Sequence, residues 1–502
     1  MNARAVHSPA QDPVVALYGT LRGRLAAGQR FAALLGRGDP ASGTELSALV
    51  AHHCGVTRLG ATLPAGVTHY PALTPALPAA FWYERVIHDL VGLVPDGHPR
   101  LDPLVLPHRN DGSPLPHPGA PGQPERTEPD ERALPVQLHG TGVFTIPHGP
   151  VRSGVFESVE YLVTTPGEDI PQLRIRPHAK HRGVQKQFEG RTVQDGVLLA
   201  ERLEGIASVA HALAFSHAVE TLTGTHVPLA AALIRVLHAE LERIANHLDV
   251  LGKLTDAAGL AVATARFGLH KEHTLRLVGA LCGNRFGRGV VVPGGVAALP
   301  RVPAAQLTDK LEALHHAITG DVRALLDTAS FLDRVRTAGV LDPRLARDHG
   351  ALGPIGRGSG YADDCRVNRP YDGYRQLTPP AVPLRDAGDA QARMQVRIEE
   401  IDAAFQLVRH ALARLPGSDP ERLSVVITEP GAGQAVGWAE APQGEVLYLL
   451  ELTPDGRISY CAPRSASFHN LMLFSSIFTG DILTDFPFNE ASFGLSIAGV
   501  VM

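Results

Sequence analysis

The stretch AERLEGIASVAHALAFSHAVE, Ala200–Glu220, followed by RVLHAELERIANHLDVL, Arg235–Leu251, is where the fold is decided. Apolar residues recur every three or four positions in both, the signature of packed helices. On such a helix Glu204, Ala207, Ser208 and His211 share one face. Glu204 and His211 then read as a proton-relay pair or as a buried polar pair satisfied by neighbouring helices. A seven-residue Glu-to-His spacing suits metal ligation poorly. In the second segment Glu240, Arg243 and His247 stand on adjacent turns, as do Glu242 and Asn246. That pattern reads first as a helix tied by ion pairs.

Working outward, the same periodicity predicts helices over Val197–Leu222, Val227–Leu254, Arg266–Leu281, Ala304–Asp333 and Asp389–Ala413. Strands are expected at Thr141–Ile146, Val155–Thr164, Gln172–Arg176, Leu423–Thr428 and Glu445–Leu452, and Asp455-Gly456 turns the chain into Ile458–Cys461. Upstream, Val14–Leu35 has helical spacing, and FWYERVIHDL, Phe81–Leu90, reads as a packed helix end or an ordered loop. Seven prolines between Pro107 and Pro129 exclude helix and sheet from that stretch. The expected architecture is α+β. A small mixed domain (1–106) and a Pro-rich linker (107–137) precede a helical bundle with small flanking sheets (138–502).

Composition narrows the function. The chain has 502 residues, 44% of them hydrophobic and 19% charged, which supports a sizeable core. A net charge of −5 gives no electrostatic reason to expect nucleic acid. No apolar run reaches the ~18 residues of a spanning helix, and the N-terminus lacks a signal-peptide core. A cytoplasmic protein is expected, with docking onto a membrane partner left open. The four cysteines, Cys54, Cys282, Cys365 and Cys461, form no CxxC. That argues against a Cys-pair zinc site, a thioredoxin motif or an iron–sulfur cluster held by this chain alone.

Three further segments stand out. GPVRSGVFE with PGEDI (149–157 and 166–170) is a surface hairpin or a turn that pushes Arg152 or Glu157 into a cleft. HAKHRGVQK (178–186) is a solvated basic loop or a seat for Arg182 against a buried anion. The apolar C-terminal run carries Asp481 and Asp485 as its only interior charges and is expected to pack into a core or a partner.

Together these segments resemble one superfamily. The order GPVxxGVFE, PGEDI, HRGxxK, ERxxGxxxxAHxLAxxxAVE, RxxxAELERIANHL and GNRFxRGVVVPGG is similar to the large subunit of nickel–iron hydrogenases and to the 49-kDa (D) subunit of respiratory complex I. The likeness continues through FLDRVRTAGVL, GPIGRGSGYADDCR, DAQARMQVRIEEI, APRSASFHN and DFPFNEASFGLS, so it covers about residues 140–502. ERVIHDLVGLVPDGHPRL (84–101) looks like the signature of the 30-kDa (C) subunit. The whole resembles the fused large subunit of group 4, energy-converting hydrogenases, formate hydrogenlyase and hydrogenase-4 type complexes.

The departures are as informative. The resemblance places thiolate ligands at Glu204, Ala207, Leu495 and Ala498, and none is present; no nickel–iron centre and no metal site are therefore expected. The absence of a tail beyond Met502 agrees with that expectation, because hydrogenase maturation removes such a tail after metal insertion. The quinone-contacting His of the 49-kDa subunit falls at Gly149 or Ser153, with His148 one step away, and its Tyr falls at Gly205. Glu157, Arg182, Arg202, Glu204, His211, Asp364 and Asp485 occupy motif positions and are the catalytic candidates; His148, Gly149, Ser153 and Gly205 are the cofactor-binding candidates.

The resemblance implies an oxidoreductase subunit of a membrane-associated complex. It would couple electron transfer, to a quinone or an unknown acceptor, to proton or ion movement. Iron–sulfur clusters are expected in a small partner subunit. Antiporter-like membrane-arm subunits are the other expected partners, placing the chain on the inner face of the membrane. The alternative is a redox-inactive scaffold in such a complex.

Overall fold

The computed structural model describes residues 12–106, 140, 142–152, 157–415, 422–427 and 431–502. The Pro-rich linker and Ser153 lie outside these residues, as do parts of the strands expected at 141–146, 155–164 and 423–428.

The N-terminal unit opens with α1 (Pro13–Ala26), capped by Asp12, whose Oδ1 accepts from Val14 N at 2.8 Å. The helix expected to reach Leu35 stops there. Gly28 follows at φ +81°, and Phe31–Leu35 is a continuous apolar run suited to a buried strand. That run belongs to β1 (Arg30–Asp39), which pairs antiparallel with β2 (Gly43–His52), itself paired with β3 (Gly55–Leu63). Helix α2 (Phe81–Val91) covers this sheet. Its charges among apolar positions are satisfied locally. Glu84 accepts from Leu73 N (2.7 Å) and Thr74 N (2.9 Å), and Asp89 accepts from Leu104 N and Val105 N at 2.8 Å each.

The larger unit begins with the antiparallel sheet β4 (Phe144–His148), β5 (Glu160–Thr165) and β6 (Gln172–Arg176). The predicted helix over Val197–Leu222 is broken: Val193–Ala200 ends, residues 201–207 turn, and α3 (Ser208–Thr223) starts afresh. Gly205 sits in that turn, and Ala207 at φ −144° is outside helical space. Around α4 (Leu229–Ala257) pack α5 (Ala261–Cys282) and α7 (Ala390–Arg414), with α6 (Ala304–Leu326) on their flank. Helix α6 stops at Leu326, and Ala329–Val335 is separate, so the expected helix to Asp333 is also interrupted. Among the described residues no helix is long and apolar enough to cross a membrane.

A second antiparallel sheet, β7 (Gly433–Ala441), β8 (Gly444–Leu452) and β9 (Ile458–Arg464), backs α3. The contact needs Gly437, where a Cβ would stand 2.1 Å from the Ala214 carbonyl oxygen. The expected strand from Leu423 is reduced to one bridge, Ser424 to Gly295, with Val426 exposed. The chain closes with α8 (Ala466–Phe474), α9 (Phe486–Phe493) and a buried tail.

The two units are joined by buried polar contacts. Arg30 of β1 pairs with Asp363 at 2.8 Å and Glu445 at 2.7 Å, and the Tyr83 hydroxyl lies 2.8 Å from His469 Nδ1.

Candidate functional site

The turn 201–207, the basic loop at Arg182, the segment at Glu157 and the C-terminal tail meet in one place. Glu204 is 1% exposed and His211 is fully buried, with Glu204 Oε1 3.4 Å from His211 Nε2. The two residues do not share a helix face: Glu204 precedes α3 and folds back over its first turn. Neither of these two atoms has a hydrogen-bond partner among the described residues. The other nitrogen of the imidazole, Nδ1, is 2.9 Å from the hydroxyl of Tyr448, a buried residue of β8. Burial, with Cys461 and Glu204 nearby, holds the Tyr448 phenol well above its usual range, so it stays protonated.

The tail is fixed by charges of opposite sign. The Ala498 N–H donates to Glu157 (2.9 Å), and its carbonyl accepts from Arg182 (3.0 Å). Glu157 also accepts from the Ser496 hydroxyl at 2.8 Å, and Arg182 donates to the Leu203 carbonyl at 2.7 Å. Arg182 therefore ties the tail to the residue before Glu204. The Glu204 carboxylate lies against Gly499, where a Cβ would fall 1.7 Å from Oε1.

Beside this group opens a cleft of about 90 Å³. Its walls include Gly205, Ile206, Val209 and Phe286, with His238, Glu242, Asn246, Asp249, Lys271 and Arg285 as polar members. Glu242 accepts from Val209 N (2.7 Å) and Ala210 N (3.0 Å), supplying the N-terminal cap that Ala207 cannot. Burial nevertheless pushes Glu242 up to about 8. His238 Nδ1 and Asn246 Oδ1 are buried without hydrogen-bond partners among the described residues.

The remaining candidates lie apart, except that Arg202 belongs to the turn and its carbonyl accepts from Arg182 at 3.4 Å while its side chain points outward. Asp364 belongs to a buried lattice in which it pairs with Arg366 (2.7 Å) and Arg357 (3.4 Å), Arg366 reaches Glu240 (3.0 Å), and Arg357 reaches Glu400 (2.7 Å) and Glu440 (3.1 Å). Burial opposes ionisation there, but Arg366 and Arg357 hold Asp364 down at about 2. Asp485 accepts from Ile482 N and pairs with Arg334 at 3.7 Å. Arg202 is exposed and paired with Glu201 at 2.5 Å. His148 stands edge-on to Phe486, and Gly149 (φ +112°) allows the close approach of Val159. Tyr448 and Gly499 escaped the sequence reading, which placed Glu242 only as a neighbour of Asn246 on a helix tied by ion pairs. Tyr448 sits in an apolar strand and Gly499 in an apolar tail, so nothing local marked them.

Comparison with known proteins gives the context. Residues 260–429 match the model of the 49 Kd subunit of respiratory-chain NADH dehydrogenase, and residues 34–118 match that of the 30 Kd subunit. Formate hydrogenlyase subunit 5 of Escherichia coli is 29% identical over 83% of this chain and 74% of its own length. The alpha subunit of the membrane-bound hydrogenase of Pyrococcus furiosus is 30% identical over 68% of this chain and 83% of its own. In fold, a chain of the membrane-bound sulfane sulfur reductase, an archaeal respiratory membrane complex, superposes over its full length and 73% of this chain, with a TM-score of 0.67 at 22% identity. The chain is therefore a member of the family that unites the large subunits of membrane-bound hydrogenases with the 49-kDa subunit of respiratory NADH dehydrogenase, here fused behind a 30-kDa-subunit domain.

Proposed function

We propose that the chain is the proton-handling subunit of a membrane-associated oxidoreductase complex that works without a nickel–iron centre. The observation that carries this reading is the Glu204–His211 pair, set at 3.4 Å in the interior where hydrogenases hold a thiolate ligand. An imidazole between a phenol and a carboxylate can take a proton on one nitrogen and release one from the other. The donor set does not fit nickel and iron: Glu204, Ala207, Leu495 and Ala498 offer one carboxylate and three hydrocarbon side chains, whereas a soft redox metal needs thiolates. Electrons would come from clusters in a small partner subunit, since the four cysteines here are scattered. The acceptor is a quinone or another small molecule that reaches the Gly205 side of the turn. Antiporter-like membrane subunits would hold the complex to the cytoplasmic face of the membrane.

The test is Glu204→Gln in the purified, assembled complex. Reduction of a quinone analogue or dye should fall by ~10²-fold, the scale of one general acid–base group, with assembly and nickel content (none) unchanged. Unaltered turnover would leave the chain as a redox-inactive scaffold. Stoichiometric nickel would refute the reading.

A further inference from the structure

Hairpin β2–β3 of the N-terminal unit ends in a two-residue tip, His53–Cys54, because His52 pairs with Gly55. Tips of this length favour turns with positive φ, hence Asn-Gly or Gly-containing pairs. Neither His53 nor Cys54 adopts positive φ; among the described residues the non-glycine positions that do are Thr337 and Asp372. Turn chemistry therefore does not account for the residues found there. What they share is ligand atoms. One donor from each of His52, His53 and Cys54 lies within 4.8 Å of the others.

The tip is held in place. Gly55 sits under the Trp438 ring, with a Cβ position 3.1 Å from Cη2, so the hairpin end rests on the larger unit. The His52 ring is fixed by the Cys54 N–H, which donates to Nδ1 at 3.2 Å, and by Thr57 Oγ1, 3.0 Å from Nε2. The His53 ring stands at 75° to it with centroids 6.1 Å apart. His53 and Cys54 are exposed and can rotate to shorten the donor separations.

Two imidazoles and a thiol, with no carboxylate in the group, select a borderline or soft cation over magnesium or calcium. We propose that His52, His53 and Cys54 form a three-ligand site for a zinc-type divalent cation, with the fourth position open to water or to a group from outside the chain. His52 contributes one ring nitrogen by giving up its contact with Thr57 or with the Cys54 amide.

Cobalt is the probe, added to the full-length chain under reducing conditions. Cys54 is the exposed thiol, while Cys282 is half-buried and Cys365 and Cys461 are buried, so a thiolate-to-cobalt charge-transfer band reports on this position. The expected result is one equivalent of cobalt bound with that band, displacement by zinc, and protection of Cys54 from a thiol reagent. Cys54→Ser should abolish the band. His53→Ala should weaken binding by at least ~10-fold, since even a supporting partner of a ligand costs that much. Both variants change exposed side chains, so folding is retained and is checked by unchanged melting. Absence of the band, its survival in Cys54→Ser, or undiminished reactivity of Cys54 at saturating zinc overturns the proposal.

Discussion

Glu204 Oε1 and His211 Nε2 face each other at 3.4 Å inside the protein, and neither atom has a hydrogen-bond partner among the described residues. A buried ionisable pair left this bare costs stability, since each group has lost its water. Glu204→Leu should therefore melt no lower than the wild type, whereas Glu204→Gln in the assembled complex should lose turnover. Thermal denaturation of the first, read beside the activity of the second, separates a functional pair from a packing device.

Gly499 should be intolerant of a side chain because of Glu204. Gly499→Ala puts a methyl 1.7 Å from the carboxylate oxygen, and overpacking of this kind costs ~1–3 kcal/mol. In a Glu204→Ala background most of that cost should vanish. A double-mutant cycle by urea denaturation gives the coupling directly.

Tyr448→Phe removes the hydroxyl beside His211 Nδ1 without changing the ring packing against Phe215. The expected cost is ~1–2 kcal/mol, the price of one buried hydrogen bond and an unpaired nitrogen. The imidazole should also lose its fixed orientation, visible as a changed His211 ring signal by NMR.

Glu445 links the two units. It pairs with Arg30 (2.7 Å), Arg369 (2.7 Å) and Arg464 (2.5 Å). Glu445→Gln leaves buried guanidinium groups short of an anion and should cost ~3–5 kcal/mol, measured as a lower denaturation midpoint.

Stability should peak in mildly acidic solution. Asp364 (about 2) and Glu400 are held below their ordinary values by arginines despite burial, so their contribution is present above the unfolded pKa and is lost as pH falls below ~4. Glu242 (about 8) and Glu440 (about 7) are raised by burial, so the folded state holds their protons more tightly. Their contribution is full below the unfolded value and is lost as pH rises through those pKa values. Melting temperature against pH should be highest near pH ~5, and Glu242→Gln should flatten the alkaline limb.

The long helices were legible because apolar residues recur at helical period over many turns, although α4 is buried on nearly every side along Ala230–Leu248. The family was legible through motifs whose charges anchor loops, as Asp364 and Arg182 do. Strands β1 and β7 were not. Phe31–Leu35 looks equally helical to a periodicity count, and AVGWAEA in β7 is rich in Ala and Gly, with strand pairing imposed by its neighbours. The helix break at 201–207 was hidden for a related reason: apolar spacing persists across it, because the turn is buried too. Glu204 and His211 were paired in the sequence by a helix that does not exist there, and the fold brings them together by a different route.

The grip on Ala498 has a consequence for signalling within the molecule. Its backbone presents N–H to an anion and C=O, from the next peptide group, to a cation, and that cation also holds the carbonyl of Leu203. Glu157 and the turn at Glu204 are thus joined through the two peptide groups that flank Ala498 and one guanidinium. Loss of charge at Glu157 would weaken its hold on the Ala498 N–H and, through Arg182, alter the field at the turn that carries Glu204. Two acidic groups far apart in sequence thereby sense each other's charge without any segment having to move.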